Sequence, residues 1–226
     1  MRLNFKLDFF DAVVFNGAQD AKLAAYEREL DVSHVPPLER RRLSRAAKCA
    51  FDLTKNIAPL DMPIVFSSYE GEINRCFELQ NTLAHGELIS PTSFSLSVHN
   101  ALSSLLAINF KNRSEISAVS AYAPLEYALV QAHLMLKSGA KNALVLAYHE
   151  SISQEYFDEF APSCMVCLLV SEGENLSLLQ GEPGGKTDEN LLVKFLQNFD
   201  PKQKCSWQSV DKNSAWRWDY EPSSRV

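Results

Sequence analysis

The stretch EISAVSAYAPLEYALVQ, Glu115 to Gln131, has the layout on which many α/β enzymes mount a nucleophile. Ile116 to Ser120 reads as a short buried strand. A helix follows with almost no loop, carrying Pro124 in its first turn. At such a helix N-terminus, free backbone N–H groups and the macrodipole stabilise a thiolate and depress its pKa. The turn offers Ser120, Ala121, Tyr122 and Ala123 instead, and none is a thiol.

Other residues with chemical potential each have a plainer role to set against it. Cys164-x-x-Cys167 invites a metal or redox reading, but there is no second ligand pair at matching spacing. On a strand, residues three apart point to opposite faces, so the two thiols should diverge as buried structural cysteines. Of five histidines, His149 is the best placed, after an apolar strand and before Glu150. No G-x-S-x-G elbow accompanies it, and a structural role is the simpler expectation. Arg40, Arg41, Arg42 and Arg45 form the one dense basic patch, which is either a solvated helix face or a dock for an acidic partner. The eight glycines build neither G-x-G-x-x-G nor a phosphate loop, so no nucleotide cofactor is expected. No metal site is expected either.

The elements that must position these groups can be read from periodicity. Leu3 to Phe15 reads as one or two strands with a possible break near Asp11. After Val35-Pro36-Pro37, LERRRLSRAAKCAFDLTKNI carries a helical stripe through Leu43, Ala47, Ala50 and Thr54. Pro63 to Ser67 is a short strand, Gly71 to Ala84 a helix, Ser90 to Phe94 a loop, and Ser97 to Phe110 a second helix. Pro124 to Ser138 is apolar on most sides, a central buried helix with Gly139 at its C-cap. Ala143 to Tyr148 and Met165 to Ser171 are buried strands, the latter ended by Glu172-Gly173. Alternating strands and helices predict a mainly parallel sheet covered by helices on both faces. Beyond Gly181 the texture changes to an amphipathic stretch, Asn190 to Phe199, and a polar tail holding Trp207, Trp216 and Trp218. Residues 1–180 and 181–226 are thus expected to differ in character.

The bulk composition fits one substantial core: 226 residues, 46% of them hydrophobic. With 22 basic against 28 acidic residues the net charge is −6, which argues against nucleic acid as the main partner. No apolar run reaches the roughly 20 residues of a membrane span, and the N-terminal residues lack a signal-peptide core. Five cysteines without a secretory signal suit a reducing compartment. The expectation is a cytoplasmic α/β domain.

In order, these segments resemble the N-terminal half of β-ketoacyl synthases of the thiolase fold, from about Leu38 to Glu172. LERRRLSRAAK resembles the basic helix of a small synthase-like family found in bacterial polyketide clusters. SPTSFSLSVHNALSSLLAI keeps Ser90, Pro91, Phe94 and Asn100 in step with its S-P-x-x-F…N pattern. SGAKNALVLAYHE is similar to the helix end and strand that close on a glutamate, here Glu150, and SCMVCLLVSE to the strand of G-x-G-x-x-x-L-V-x-E. In that family the strand–turn–helix reads V-S-T-A-C-A-S-G, with cysteine as the acyl-accepting nucleophile. Counting back from Gly139 puts Tyr122 at the cysteine, and counting forward from Asn100 puts Ala123 there. A phenol, ionising at about pH 10, is a poor substitute for an acyl-carrying thiolate, and Ala123-Pro124-Leu125 replaces the open A-S-G.

The family's two catalytic histidines belong to a second repeat that this sequence does not include. The resemblance therefore implies no condensation by this chain alone. It implies instead a shortened chain-length factor of a type II polyketide synthase, of the kind in aryl polyene clusters, in a heterodimer or heterotetramer with a catalytic ketosynthase. Acyl carrier protein would be met through that complex. On this reading Tyr122, Ala123 and Leu125 occupy a vestigial nucleophile position. The strand with Ile116, Ala118 and Ser120 is the partner edge. Tyr69, Ile73, Phe77 and Phe94 approach the acyl tunnel, with core packing as the alternative, and the four arginines are the weak carrier-protein dock. Two rivals stand beside it: a scaffold that only keeps a synthase soluble, and a stand-alone acyltransferase using Tyr122 or Cys76.

Overall fold

The computed structural model describes residues 1–17, 20–57, 61–153, 155–156, 162–183, 190–211 and 213–223. The chain opens on β1 (Arg2–Phe15), which does not break at Asp11. Asp11 stays in register opposite Cys167, and the irregularities fall at Phe5/Lys6 and Leu7/Phe9. Short helices α1 (Ala21–Ala24) and α2 (Pro37–Arg40) follow. The single basic helix of the sequence reading is in fact interrupted. Ser44 accepts from the Ala47 amide at 3.0 Å and so starts a new helix, α3 (Arg45–Thr54). A serine offered a free amide caps a helix better than it extends one.

Next come β2 (Ile64–Ser68), α4 (Ile73–Ala84) and α5 (Pro91–Ser95). The last replaces the expected loop: Ser90 caps it and Pro91 occupies its first turn, where a missing N–H costs nothing. The helix expected from Ser97 begins later, as α6 (Ala101–Asn109). β3 (Ile116–Val119), α7 (Pro124–Lys137) and β4 (Asn142–His149) match the sequence reading closely. β5 (Ser163–Gly181) does not stop at Glu172-Gly173 but runs on through both. A Cβ at Gly173 would sit 2.5 Å from the Lys6 Cβ, so the glycine lets the irregular part of β1 cross close over it. The chain ends in α8 (Leu191–Asn198), β6 (Cys205–Val210) and β7 (Ala215–Tyr220).

All seven strands form one mixed sheet in the order β3-β2-β4-β5-β7-β6, with β1 pairing β5. Its parallel part is smaller than expected. Only β3-β2-β4 run parallel, and the pairings made by β5 and β7 are antiparallel. Helices cover both faces. α3 and α6 pack on one through Phe51, Leu53 and Leu106 against Phe66, Leu146 and Cys167. α7 and α8 pack on the other through Leu125, Leu129 and Phe195 against Val145, Cys164 and Val166. Cys164 and Cys167 thus lie in different cores, as strand geometry requires. Among the described residues no helix is long and apolar enough to cross a membrane, and no cluster of His, Cys, Asp and Glu could hold a metal ion.

The tryptophan-bearing segment forms a hairpin that extends this sheet. In A-W-R-W-D-Y the odd members point outward and Trp216 and Trp218 are fully buried. Trp207 stacks on Trp218 with ring centroids 5.5 Å apart, and Phe195 meets both edge-on. Buried aromatics of this size carry a large share of the local burial energy.

Candidate functional site

β2, β3 and β4 end together, and their C-terminal ends define the site, the usual position for ligands on parallel strands. The turn from β3 into α7 begins with Ser120, whose hydroxyl donates to the Tyr69 carbonyl at 3.3 Å. Ala123 is fully buried and serves as the N-cap of α7 without a side-chain bond. Leu125 is buried in the core beneath the helix. Tyr122 is 46% exposed, outside the turn, with its ring 4.5 Å from that of Tyr69. The two residues of the turn therefore differ: Ala123 is buried and Tyr122 is exposed. Neither supplies a thiol.

Tyr69, Glu70, Tyr122, Pro124, His149 and Leu191 line a shallow pocket at this mouth. His149 Nδ1 lies 3.6 Å from Glu70 Oε2, and its Nε2 is buried with no partner. Glu150, the strand-end glutamate of the sequence motif, is committed elsewhere. It accepts from the Tyr148 hydroxyl at 3.0 Å and from the Asn74 amide at 3.2 Å, fastening the start of α4 to the end of β4. Asn74 strengthens the join by donating to the Ser151 carbonyl and accepting from the Ser153 amide. Sequence reading missed Glu70 and Asn74, because what marks them is proximity across the sheet ends.

The four residues assigned to a tunnel are not core residues. Tyr69 and Phe94 are 50% and 59% exposed, and Ile73 and Phe77 are half-buried. Phe77 stacks on Tyr156 with centroids 4.7 Å apart. α4 as a whole buries no residue, although it carries Ile73, Phe77, Leu79 and Leu83. Arg75 of α4 donates to the Leu96 carbonyl at 3.1 Å, which holds α5 and its exposed Phe94 alongside. β3 is the outer strand, paired on one side only, with Ile116 exposed and Ser117 to Val119 half-buried. Ile116 on β3, Leu83 on α4 and Phe94 on α5 are exposed apolar side chains, and among the described residues the outer edge of β3 is unpaired.

The arginines divide. Arg40 donates to the carbonyls of Ser33 and Val35, and Arg45 lies 5.4 Å from the centre of the Phe15 ring. Arg41 and Arg42 stay exposed. As for nucleophiles, burial pushes the Cys76 thiol up, helped by the negative charges of Glu72 and Glu150. Burial also pushes up Cys49, Cys164 and Cys167. Reactive thiols need the opposite environment.

No curated protein matches the sequence. Solved structures do match in fold. A chain of the ketosynthase ApeO in complex with its chain length factor ApeC, from Xenorhabdus doucetiae, superposes with a TM-score of 0.77 at 22% identity, covering 96% of this chain and 99% of its own. The ishigamide ketosynthase/chain length factor gives 0.58 at 12% identity, over 69% of this chain and 54% of that one. The type II polyketide complex AntDE:AntF, a ketosynthase with its acyl-carrier protein, gives 0.54 at 11%, over 87% and 73%. The family model for the beta-ketoacyl synthase N-terminal domain matches residues 16–219, well beyond the segment in which the resemblance was read and including the tryptophan hairpin. The chain, with its thiolase-like mixed sheet and its cysteine-free turn, belongs to the beta-ketoacyl synthase N-terminal domain family.

Proposed function

We propose that this chain is a non-catalytic partner of a ketosynthase, a chain-length factor that completes the acyl tunnel of a catalytic subunit in bacterial polyketide biosynthesis. One observation carries the reading. The outer strand β3 leaves its edge and Ile116 exposed, and it leads into a turn, Ser120 to Ala123, that holds no cysteine. A catalytic subunit seated there would cover the edge formed by Ile116, Ala118 and Ser120, and its acyl chain would run toward Ile73, Phe77, Phe94 and the Tyr69–Tyr122 pair. The likeness to a chain of a ketosynthase–chain length factor complex supports the pairing, and we read this chain as a shortened factor of the aryl polyene kind. Arg41 and Arg42, unlike Arg40 and Arg45, are free to meet an acidic carrier protein on the assembled pair in the cytoplasm.

The test is co-expression with a cysteine-bearing ketosynthase encoded nearby. Stable co-purification and a working condensing complex are expected, and Phe77→Ala and Tyr69→Ala should shift the product to longer chains. Unchanged product length in both variants, with the complex intact, would reduce the role to a scaffold. Acyl label transferred onto this chain alone would overturn the non-catalytic reading. The half-buried, charge-suppressed Cys76 argues against that outcome.

A further inference from the structure

Glu126 lies in the first turn of α7 and is 1% exposed. One carboxyl oxygen, Oε1, accepts from the Ser209 hydroxyl at 2.8 Å and from the Trp218 indole N–H at 3.3 Å. The other, Oε2, is buried with no hydrogen-bond partner. That asymmetry fits a neutral acid, whose carbonyl oxygen takes the two donors while its O–H end is the buried, unpartnered one. An ionised carboxylate would place a charged oxygen in a dry site, which costs far more than a buried hydroxyl. Burial accordingly pushes this carboxyl up to about 7, despite the opposing pull of Ser209, the helix amide and Trp218.

Among the described residues no cation acts on Glu126 to rescue the charge. On the hairpin, Asp211 raises the carboxyl further, and it is itself occupied by the amide and hydroxyl of Ser214. Tyr127, next along α7, meets Trp216 edge-on. The sheet beneath α7 offers Val65, Val145, Ala147, Val166 and the thiol of Cys164, with Tyr148 on the far side of β4. α8 brings Leu192, Phe195 and Leu196 to this core and has one charged residue, Lys194. Glu70 and His149 pair with each other across the pocket lined by Pro124.

We infer that Glu126 is a proton-controlled clasp: as the neutral acid it holds the β6–β7 hairpin against the first turn of α7, and loss of its proton to solvent loosens that grip. The sign follows from a native value raised above the ordinary carboxylate range. The clasp is tightest in acid below the ordinary carboxylate value, loosens as the pH rises above it, and has lost this contribution once the pH has passed about 7. Because the same helical turn follows Tyr122 and Ala123 directly, the protonation state reaches the vestigial nucleophile seat.

All three tryptophans lie in this hairpin, so intrinsic fluorescence of the full chain reports on it selectively. Between pH 6 and 8.5 the emission should change with a midpoint near 7. From about pH 5 up to that midpoint the opening constant of the β6 and β7 amides, from hydrogen exchange corrected for intrinsic rates, should rise about tenfold per pH unit and then level off. Glu126→Gln keeps an acceptor for Ser209 and Trp218 but has no proton to lose, and its profile should be flat. Where that variant fails to fold, the infrared band of a protonated carboxyl in the wild-type chain decides: present at pH 6 and gone by 8.5 supports the clasp. A flat wild-type profile, a variant that retains the transition, or no carboxyl band at pH 6 would overturn it.

Discussion

Replacing Asp52 by alanine should destabilise the chain by about 3 kcal/mol. The carboxylate is 1% exposed and holds four donors: Lys55 at 2.8 Å, the Asp31 amide at 3.0 Å, and Arg28 through two nitrogens at 3.1 Å. Removing one partner of a fully buried ion pair costs roughly 3–5 kcal/mol. Here the cations are only partly buried, Arg28 at 36% exposure and Lys55 at 31%. Each also keeps a second acid, Asp11 for Arg28 and Asp31 for Lys55, so part of the cost is recovered. About 1 kcal/mol for each of the three donor groups is the reasonable middle. At about 2–4 °C per kcal/mol for a chain of this size, the melting temperature should fall by roughly 6–12 °C at pH 7. Burial tends to raise the carboxyl of Asp52, but the bonds from Lys55, the Asp31 amide and Arg28 outweigh it and hold the group below its ordinary value. The stability it contributes is therefore present above about pH 4 and is lost as the pH falls through the depressed native value. Calorimetry of Asp52→Ala and Asp52→Asn against wild type at pH 7, 5 and 3 tests both parts. A loss under 2 °C at pH 7, or a gap for Asp52→Asn as wide at pH 3 as at pH 7, would refute the reasoning.

Three further perturbations have expected outcomes. Gly173→Ala must push the Lys6 side chain and backbone away from contacts of 2.5 and 3.1 Å, so thermal unfolding should show a loss of about 1–3 kcal/mol. In native alkylation followed by mass spectrometry, Cys49, Cys164 and Cys167 should stay unlabelled while Cys76 and Cys205 react slowly, with all five modified after denaturation. Early labelling of Cys164 would mean that β5 opens far more readily than its burial implies. Ala118→Lys on the outer strand should abolish co-purification with the catalytic subunit while leaving the isolated chain's melting temperature within about 1 °C, because β3 packs at the sheet's edge. Retained pairing would move the interface off this edge.

The core of the sheet was legible because continuous apolar runs such as Ala143 to Tyr148 leave few options but a buried strand. α7 was legible for similar reasons, with proline at its start and Gly139 at its end. The seat was legible as a layout of strand, turn and helix. What failed was of two kinds. Local competition was underweighted: Ser44 and Ser90 start helices where only a continuous stripe or a loop was read. Distant partners were invisible: Trp218 and Ser209 look like parts of a polar tail until Glu126 is known to wait 92 and 83 residues away. The alternation in Ala215 to Tyr220 carried the strand signal, but charged Arg217 and Asp219 between the aromatics made it read as tail.

The central pairing of the sheet also sets a schedule for the chain's birth. Among the described strands β1 pairs with β5, so Arg2 waits for Leu179 and Phe15 for Ser163. At ribosomal speeds of about 5–20 residues per second, Phe5 and Val13 stay without their β5 partners for on the order of ten to thirty seconds. Contacts closed over so long a loop form late and slowly. The nascent segment most in need of chaperone protection is therefore β1, whose pairing partner β5 is made only after β2, β3 and β4.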